Sequence, residues 1–172
     1  MSLASPNTDA APAAFSSTEF RQALSQFATG VTVVTACGAN GERAGLTVSS
    51  FNSVSLQPPL VLWSLNQASQ SMAVLGQAQH YAIHVLGAHQ LALAERFTGP
   101  REARWMNLTH RWSEHGVPLL DDCLAVFECT HRSRHEEGDH LIFVAQVERC
   151  HRGSDAPPLL YHRSRLITET GL

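Results

Sequence analysis

Apolar residues recur at helical spacing in "FRQALSQFATG", where Phe20, Leu24 and Phe27 fall on one face. Ser16 and Glu19 supply the S-x-x-E signature of a capping box ahead of them, and Gly30 supplies a stop, so the pattern predicts a helix over 18–28. The period then changes. "VTVVTAC" mixes β-branched and small residues in the manner of a strand, and Asn40-Gly41 is a strong hairpin signal before a second strand from about Arg43. Pro58-Pro59 breaks the ladder, so "LVLWSL" reads as a new, largely buried strand. A short helix is expected from near Ser69, then a strand in "HYAIHVL". "AHQLALAERF" reads as an amphipathic helix with Leu91, Ala94 and Phe97 on its apolar face. Residues 99–118 read as irregular, with Trp105 and Trp112 available to anchor them. "CLAVFECTHRSRHEE", "GDHLIFVAQVERCHR" and "PLLYHR" predict three more strands, the first two joined at Gly138-Asp139. Many strands, few short helices and no βαβ rhythm predict a mainly β protein built as an antiparallel, closed or split barrel.

Composition narrows this picture. The chain has 172 residues, 44% apolar and 16% charged, which suits one domain with its own core. A net charge of -3 with scattered basic residues leaves no footprint for nucleic acid or an anionic membrane. Cys37, Cys123, Cys129 and Cys150 lie far apart without a C-x-x-C pair, which favours buried free thiols in a reducing cytoplasm. No apolar run has the length to span a bilayer. "MSLASPNTDAAPAAFSST" lacks the basic and apolar regions of a signal peptide, and its Ala, Ser and Pro content reads as a loose tail. The expected division is a tail over 1–17, one domain over 18–166 and a short tail over 167–172.

The candidate chemistry is mostly neutral. Thr47, Ser49 and Ser50 precede Asn52, Ser53 and Ser55, a pattern that an exposed strand face or edge also produces. Asn66, Ser69 and Ser71 flank the expected helix start, where free N–H groups and the helix dipole favour an anion; the plainer reading is that Ser69 caps the helix. Neither a Walker loop nor G-x-G-x-x-G is present. The ten histidines include His131 and His135, four apart and expected to share a strand face. Without H-E-x-x-H or a cysteine pair they do not form a recognisable zinc motif, so no metal is expected. His140 follows a turn at the mouth of a hairpin, where a functional side chain is easily presented, although pairing with Asp139 explains it equally well. A Ser–His–Asp hydrolase is not supported, because G-x-S-x-G is absent.

The order and spacing of "FRQALSQFATGVTVVTA", "GLTVSSFNSVSLQPPLVLWSL", "NQASQS", "YAIHVL", "LAERF", "GVPLLDDCLAVFEC", "GDHLIFVAQVE" and "PLLYHR" resemble the flavin reductase-like, FMN-binding split-barrel proteins. These are the reductase components of two-component flavin monooxygenases. The resemblance spans about Phe20 to Arg165. It implies a Greek-key split barrel, a homodimer, and an NAD(P)H-dependent reductase that passes hydride to FMN or FAD for a partner oxygenase. It implies that Thr47, Val48, Ser49 and Ser50 lie along the flavin ring, and that Asn66, Gln67, Ala68, Ser69 and Ser71 take the ribityl chain and phosphate. His84 falls where relatives carry Asn and would lie near the flavin, Arg96 and Phe97 in a segment that approaches it, and His140 at the histidine tied to nicotinamide. Tyr161-His162-Arg163-Ser164-Arg165-Leu166 departs from the family pattern by lacking a glycine and a final aromatic residue, and Gln70 stands where a hydroxyl residue is common. A flavin-binding protein without turnover, or an enzyme that keeps FMN and reduces a small organic substrate, are the alternatives.

Overall fold

The capping box at the first helix is fully formed. Ser16 Oγ accepts from the Glu19 N–H at 3.2 Å, and the Glu19 carboxylate accepts from the Ser16 N–H at 2.8 Å. These contacts belong to a computed structural model that describes residues 14–168; the remainder of the expected tails, 1–13 and 169–172, lies outside the described residues. Helix α1 (Ser17–Leu24) stops short of the predicted 28. Ser25 Oγ donates to the Gln22 carbonyl and competes with helix continuation. No residue of α1 is buried, and Phe20, Leu24 and the following Phe27 turn their apolar groups to solvent.

The strands follow as β1 (Thr29–Gly30), β2 (Thr32–Cys37), β3 (Arg43–Val48), β4 (Asn52–Leu56) and β5 (Pro59–Asn66). Pro58 follows a cis peptide bond in the turn between β4 and β5. Helix α2 (Met72–Leu75) leads to β6 (His80–Val85), and α3 (Leu91–Thr98) to the short pair β7 (Arg111–Trp112) and β8 (Pro118–Leu119). The long hairpin β9 (Ala125–Glu137) and β10 (His140–Arg152) precedes β11 (Leu160–His162) and β12 (Arg165–Ile167). β12 therefore carries regular structure through Ile167, one residue past the expected domain end. Among the described residues no helix is long and apolar enough to cross a membrane.

The main sheet is antiparallel in the order β3-β2-β6-β9-β10-β5-β4. Its two edges, β3 and β4, are joined by residues 49–51 alone, a link that reaches only about 10–14 Å. The ladder must therefore curl until its edges meet, and β3 comes against β5. The result is a barrel split along one seam.

Two cores lie on opposite faces of this wall. Inside, Trp63 stacks on Phe143 at 4.3 Å and meets Tyr81 edge-on at 5.5 Å, surrounded by Val34, Leu65 and Ile83. Outside, Val31, Val33, Ala82, Leu120 and Leu159 pack under α3 through Ala94 and Phe97. Strands β2 and β6 are consequently buried on both faces, where Thr32, Thr35 and His84 are enclosed along with their apolar neighbours. Leu91, Ala94 and Phe97 form the helix face read from the sequence. Trp105 anchors the following segment by packing edge-on against Phe97 at 5.2 Å, whereas Trp112 is mostly exposed and anchors little.

His84 belongs to the outer core, not to a cleft. Its ring is wholly buried, and its Nε2 accepts from the Leu120 N–H at 3.1 Å. Nε2 is then unprotonated, so Nδ1 carries the hydrogen and donates to the Val33 carbonyl at 3.0 Å. Burial pushes its pKa down to about 4. The cysteines are free; Cys123 and Cys129 are buried with thiols pushed up to about 11 and about 12 by that burial, whereas Cys150 is exposed, against the expectation of interior thiols throughout.

Two bulges interrupt the β9–β10 ladder. Ser133 pairs with Val144 but His131 with Ala145, so Arg132 is an extra residue and the strand changes face there. His131 and His135 therefore do not share the face expected from simple alternation.

Two outcomes follow from these features. An unfolded histidine titrates near 6.5, so the folded protein binds fewer protons than the unfolded chain between about 4 and 6.5. The stability contributed by neutral His84 is full above 6.5 and is lost as pH falls towards about 4, on the order of 3 kcal/mol. Denaturant melts at about pH 7 and about pH 4.5 should show that decline, and His84→Asn should flatten it. The β11–β12 turn holds Arg163 and Ser164 at φ 49 and 60, a left-handed pair that favours glycine. Ser164→Gly, which restores the residue the family pattern leads one to expect, should raise unfolding stability by about 0.5–1 kcal/mol in the same melts.

Candidate functional site

The seam between β3 and β5 opens into a cleft. β3 is an edge strand, so its backbone groups on that side have no ladder partner in the sheet. Ser50 crosses the gap: its hydroxyl donates to the Ser64 carbonyl at 3.1 Å and accepts from the Ser64 N–H at 2.9 Å. One side chain thus stands in for a rung of the ladder. Thr47 donates its hydroxyl to the Ala94 carbonyl of α3 at 2.7 Å, which fixes β3 to the outer helix. Gly45 permits this close approach, because a Cβ there would lie 2.4 Å from Phe97 Cε1. Ser49 alone of this group is exposed.

The opposite lip is sewn to the tip of the β9–β10 hairpin. Asn66 pairs across the ladder with His140. Its Oδ1 accepts from the Ala68 N–H at 2.8 Å, and its Nδ2 donates to Asp139 Oδ2 at 3.2 Å. The Gln67 N–H donates to the Asp139 carbonyl at 2.9 Å, and its side-chain amide reaches the Gly138 and His140 carbonyls at 3.4 Å. The helix expected from Ser69 begins only at Met72 and makes a single turn, with Ser71 as its cap residue and no side-chain cap bond. The helix-dipole argument for an anion therefore loses its basis, and so does the reading of Ser69 as the cap. Ser69 instead accepts from the Ser71 N–H at 3.3 Å and keeps partial exposure.

Ser71 lies beneath the surface, where its hydroxyl accepts from Arg104 Nη1 at 3.1 Å. The same guanidinium donates to the Gly45 carbonyl at 2.7 Å and the Gly99 carbonyl at 3.0 Å. Burial, then the neighbouring Arg101, pushes the Arg104 pKa below its ordinary value. Arg104 thereby ties β3, the end of α3 and the 69–72 turn together. It sits in the segment read as irregular, with no local pattern to single it out.

His140 stands at the head of β10. Its Nδ1 lies 2.7 Å from Asp139 Oδ1, and that hydrogen bond is the main reason the Asp139 carboxyl is held below the usual carboxylate range. Asp139 accepts, so Nδ1 carries the hydrogen and Nε2 is left with no protein partner among the described residues.

Three adjoining cavities share Ser49. One, of about 320 Å³, is lined by Leu46 to Ser50, Ser64 to Asn66, Ser69 and His140. A second, of about 250 Å³, lies between Thr47 to Ser49 and Val31, Thr98, Tyr161 and Leu166. A third, of about 580 Å³, runs from Ser49, Ser50 and Ser64 to Tyr161, Ser164 and the α1 residues Arg21 and Leu24. The structure thus brings together Thr47, Val48, Ser49, Ser50, Asn66, Ser69 and His140. Gln67 and Ala68 form the turn behind Asn66, and Ser71 lies below Ser69. Three residues expected near the flavin do not line these cavities. His84 is enclosed in the outer core, Phe97 is buried under Gly45, and Arg96 points its guanidinium at the Met106 carbonyl at 2.8 Å. Sequence reasoning missed Ser64, Tyr161 and Leu166 as cleft walls; Ser64, a lone hydroxyl in an otherwise apolar strand, was the one with a visible signal.

Apolar walls from Leu46, Val48 and Leu65, with hydroxyls and unpaired backbone groups at their edge and no carboxylate in the lining, suit a planar heteroaromatic group with a polar rim. Comparison with known proteins bears on the chain as a whole. The family model for the flavin reductase like domain matches residues 24–169. An NADH-dependent FMN reductase of Agrobacterium fabrum is 46% identical over 145 residues, covering 84% of this chain and 82% of the relative. The reductase component of a flavin-dependent trigonelline monooxygenase from Acinetobacter baylyi is 39% identical over 130 residues, and the match spans 76% of this chain but only 42% of that longer protein. The structure of a Streptomyces globisporus NADH:FAD oxidoreductase, in complex with NAD and FAD fragments, superposes with a TM-score of 0.83 at 32% identity, covering 90% of this chain and 93% of the other. With its split barrel, its seam cleft and a family match over most of its length, the chain belongs to the flavin reductase like family.

Proposed function

We propose that the protein is an NAD(P)H-dependent flavin reductase that accepts FMN or FAD in the seam cleft and supplies reduced flavin to a partner oxygenase. The observation that carries the reading is the lining of that cleft: neutral donors and apolar walls facing a single histidine. The bound flavin supplies the electron-accepting ring that takes hydride from reduced nicotinamide. The chain's own groups bind, orient and exclude. Leu46, Val48 and Leu65 offer apolar surface for ring packing, and the free edge of β3 offers hydrogen-bonding groups to a heteroaromatic rim. Ser69, with Asn66, Gln67 and Ala68 shaping its turn, is the hydroxyl available to a ribityl phosphate, and Arg104 behind Ser71 adds positive charge to that side.

His140 is oriented by Asp139, so its free Nε2 can hold the nicotinamide amide against the flavin face. Preorganisation of this kind is what a hydride transfer between two bound rings requires of a protein. The reading includes a cytoplasmic homodimer. The exposed apolar groups of Phe20, Leu24 and Phe27 beside the cleft support a covered face there, and the free thiols support a reducing compartment. The names of relatives as NADH-dependent FMN reductases and monooxygenase reductase components support the reaction and the partner.

Nicotinamide oxidation measured with FMN and FAD in turn tests the proposal. Turnover should saturate with added flavin, and a preparation that binds flavin without oxidising NADH or NADPH overturns it. In the same assay His140→Ala should lower turnover about tenfold or more while leaving flavin affinity within about threefold; equal losses would make His140 a structural residue. Ser69→Ala should weaken FMN more than riboflavin, by about five- to tenfold, since only FMN carries the phosphate. Fluorescence titration with both flavins checks this, and equal weakening removes Ser69 from the phosphate site.

A further inference from the structure

Three strands and a turn bring His80, His115 and Glu148 together on the outside of the barrel. His80 opens β6 and pairs with Thr130 of β9. Glu148 is the extra residue of the second bulge, where the ladder steps from Val147↔Cys129 to Arg149↔Glu128; a bulge re-aims the side chain it carries. His115 comes from the turn between β7 and β8. Ser113 Oγ accepts there from the His115 and Val117 N–H groups at 3.2 and 3.0 Å, and Gly116 takes φ 67.

One ligand atom from each of the three residues lies within 4.8 Å of the other two. His115 Nε2 is 3.4 Å from Glu148 Oε2, and His80 Nδ1 is 4.0 Å from the same oxygen. A tetrahedral site with bonds of about 2.1 Å has edges of about 3.4 Å, so one edge already has its length, a second is close, and the third, between the two histidine nitrogens, is within 4.8 Å. The two imidazoles stack with centroids 3.9 Å apart and planes 10° apart, and His80 Nδ1 also lies 3.2 Å from the Thr130 hydroxyl, so sharing an ion requires one ring to turn and bring its in-plane lone pair to the common point. The Thr130 hydroxyl donates to Glu148 Oε1, which pins the carboxylate and leaves Oε2 towards the histidines. Such an outer hydrogen bond is the usual means of orienting a ligating carboxylate. All three side chains are partly exposed, which gives an ion a way in.

We propose that His80, His115 and Glu148 bind a divalent first-row transition ion, zinc foremost, which clamps the β7–β8 turn onto the face formed by β6, β9 and β10. Two imidazoles and one carboxylate, with a fourth position left to water, suit zinc and discriminate against magnesium and calcium, which demand more oxygen ligands. The ion acts on the turn it holds, not in the cleft. Glu148 lies eight residues along β10 from His140, roughly 25 Å, so the ion stands apart from the cleft. The segment it would hold also carries Pro118, whose carbonyl accepts from Thr35 at 2.6 Å, and Leu120, which donates to His84. Clamping the turn therefore secures the lid of the outer core.

The untagged full chain, stripped with a chelator, is titrated with Zn²⁺ by calorimetry and with Co²⁺ by visible absorption, and melted with and without Zn²⁺. The expected result is one ion per chain, a raised melting temperature, tetrahedral cobalt bands and no competition from excess Mg²⁺ or Ca²⁺. His115→Ala and Glu148→Gln should each weaken Zn²⁺ at least about tenfold, while His135→Ala leaves its affinity unchanged. His115 sits on an exposed turn and Glu148→Gln is nearly isosteric, so loss of binding in both variants with a native circular dichroism spectrum reports on the site itself. Absence of stoichiometric binding overturns the proposal. So does equal affinity in the wild type and both variants, which would assign the metal to scattered histidines, or Mg²⁺ binding as tightly as Zn²⁺.

Discussion

The whole arrangement depends on a short tether. Residues 49–51 join the two outermost strands of a seven-stranded ladder, and nothing but a closed curl can bring those edges within reach. The curl is not completed by backbone pairing between β3 and β5; Ser50 bridges the gap with a hydroxyl bonded both ways to Ser64. Above that rung the seam stays open. A binding cleft thus arises as the remainder of an incomplete barrel closure, and its edge is a strand with spare hydrogen-bonding groups.

Hydroxyl groups that look alike in sequence divide into supports and candidates for contact. Thr47, Ser50 and Ser71 spend their hydroxyls on Ala94, Ser64 and Arg104 respectively, whereas Ser49 and Ser69 keep exposure at the cleft. The histidines divide the same way. His84 has both ring nitrogens bound to backbone groups and is neutral by burial, while His140 has one nitrogen held by Asp139 and the other free. The neighbourhood, not the residue type, assigns each role.

Much of the fold was legible, because burial imposes period on sequence. The face of α3, the hairpin at Asn40-Gly41, the strands and the mainly β class all follow from patterns with a physical cause. What was not legible required counting across strands. Alternation along β9 placed His131 and His135 on one face, and only the partner strand reveals the extra Arg132 between them. Residues 80, 115 and 148 share no local spacing, and they meet because a bulge and a turn aim them at one point. Arg104 was invisible for a related reason: its three acceptors come from β3, the end of α3 and the turn before α2. The expected site residues that share a cavity lie on the seam, where chain neighbours are also spatial neighbours. His84, Arg96 and Phe97 lay on elements whose side chains face the outer core or its covering loop.

The two-sided burial of β2 and β6 also bears on how the molecule is made. Tyr81 finds its ladder partner only in Cys129, and the interior of the barrel is closed off by Phe143 still later in the chain. A chain emerging from the ribosome therefore holds these two deeply buried strands ready well before β9 can cover the free edge of β6. Pairing between such distant segments is slow compared with local hairpin formation. During that interval the open edge of β6 is a template for pairing with another chain, and the arrival of the last long hairpin removes that template as it completes the barrel wall.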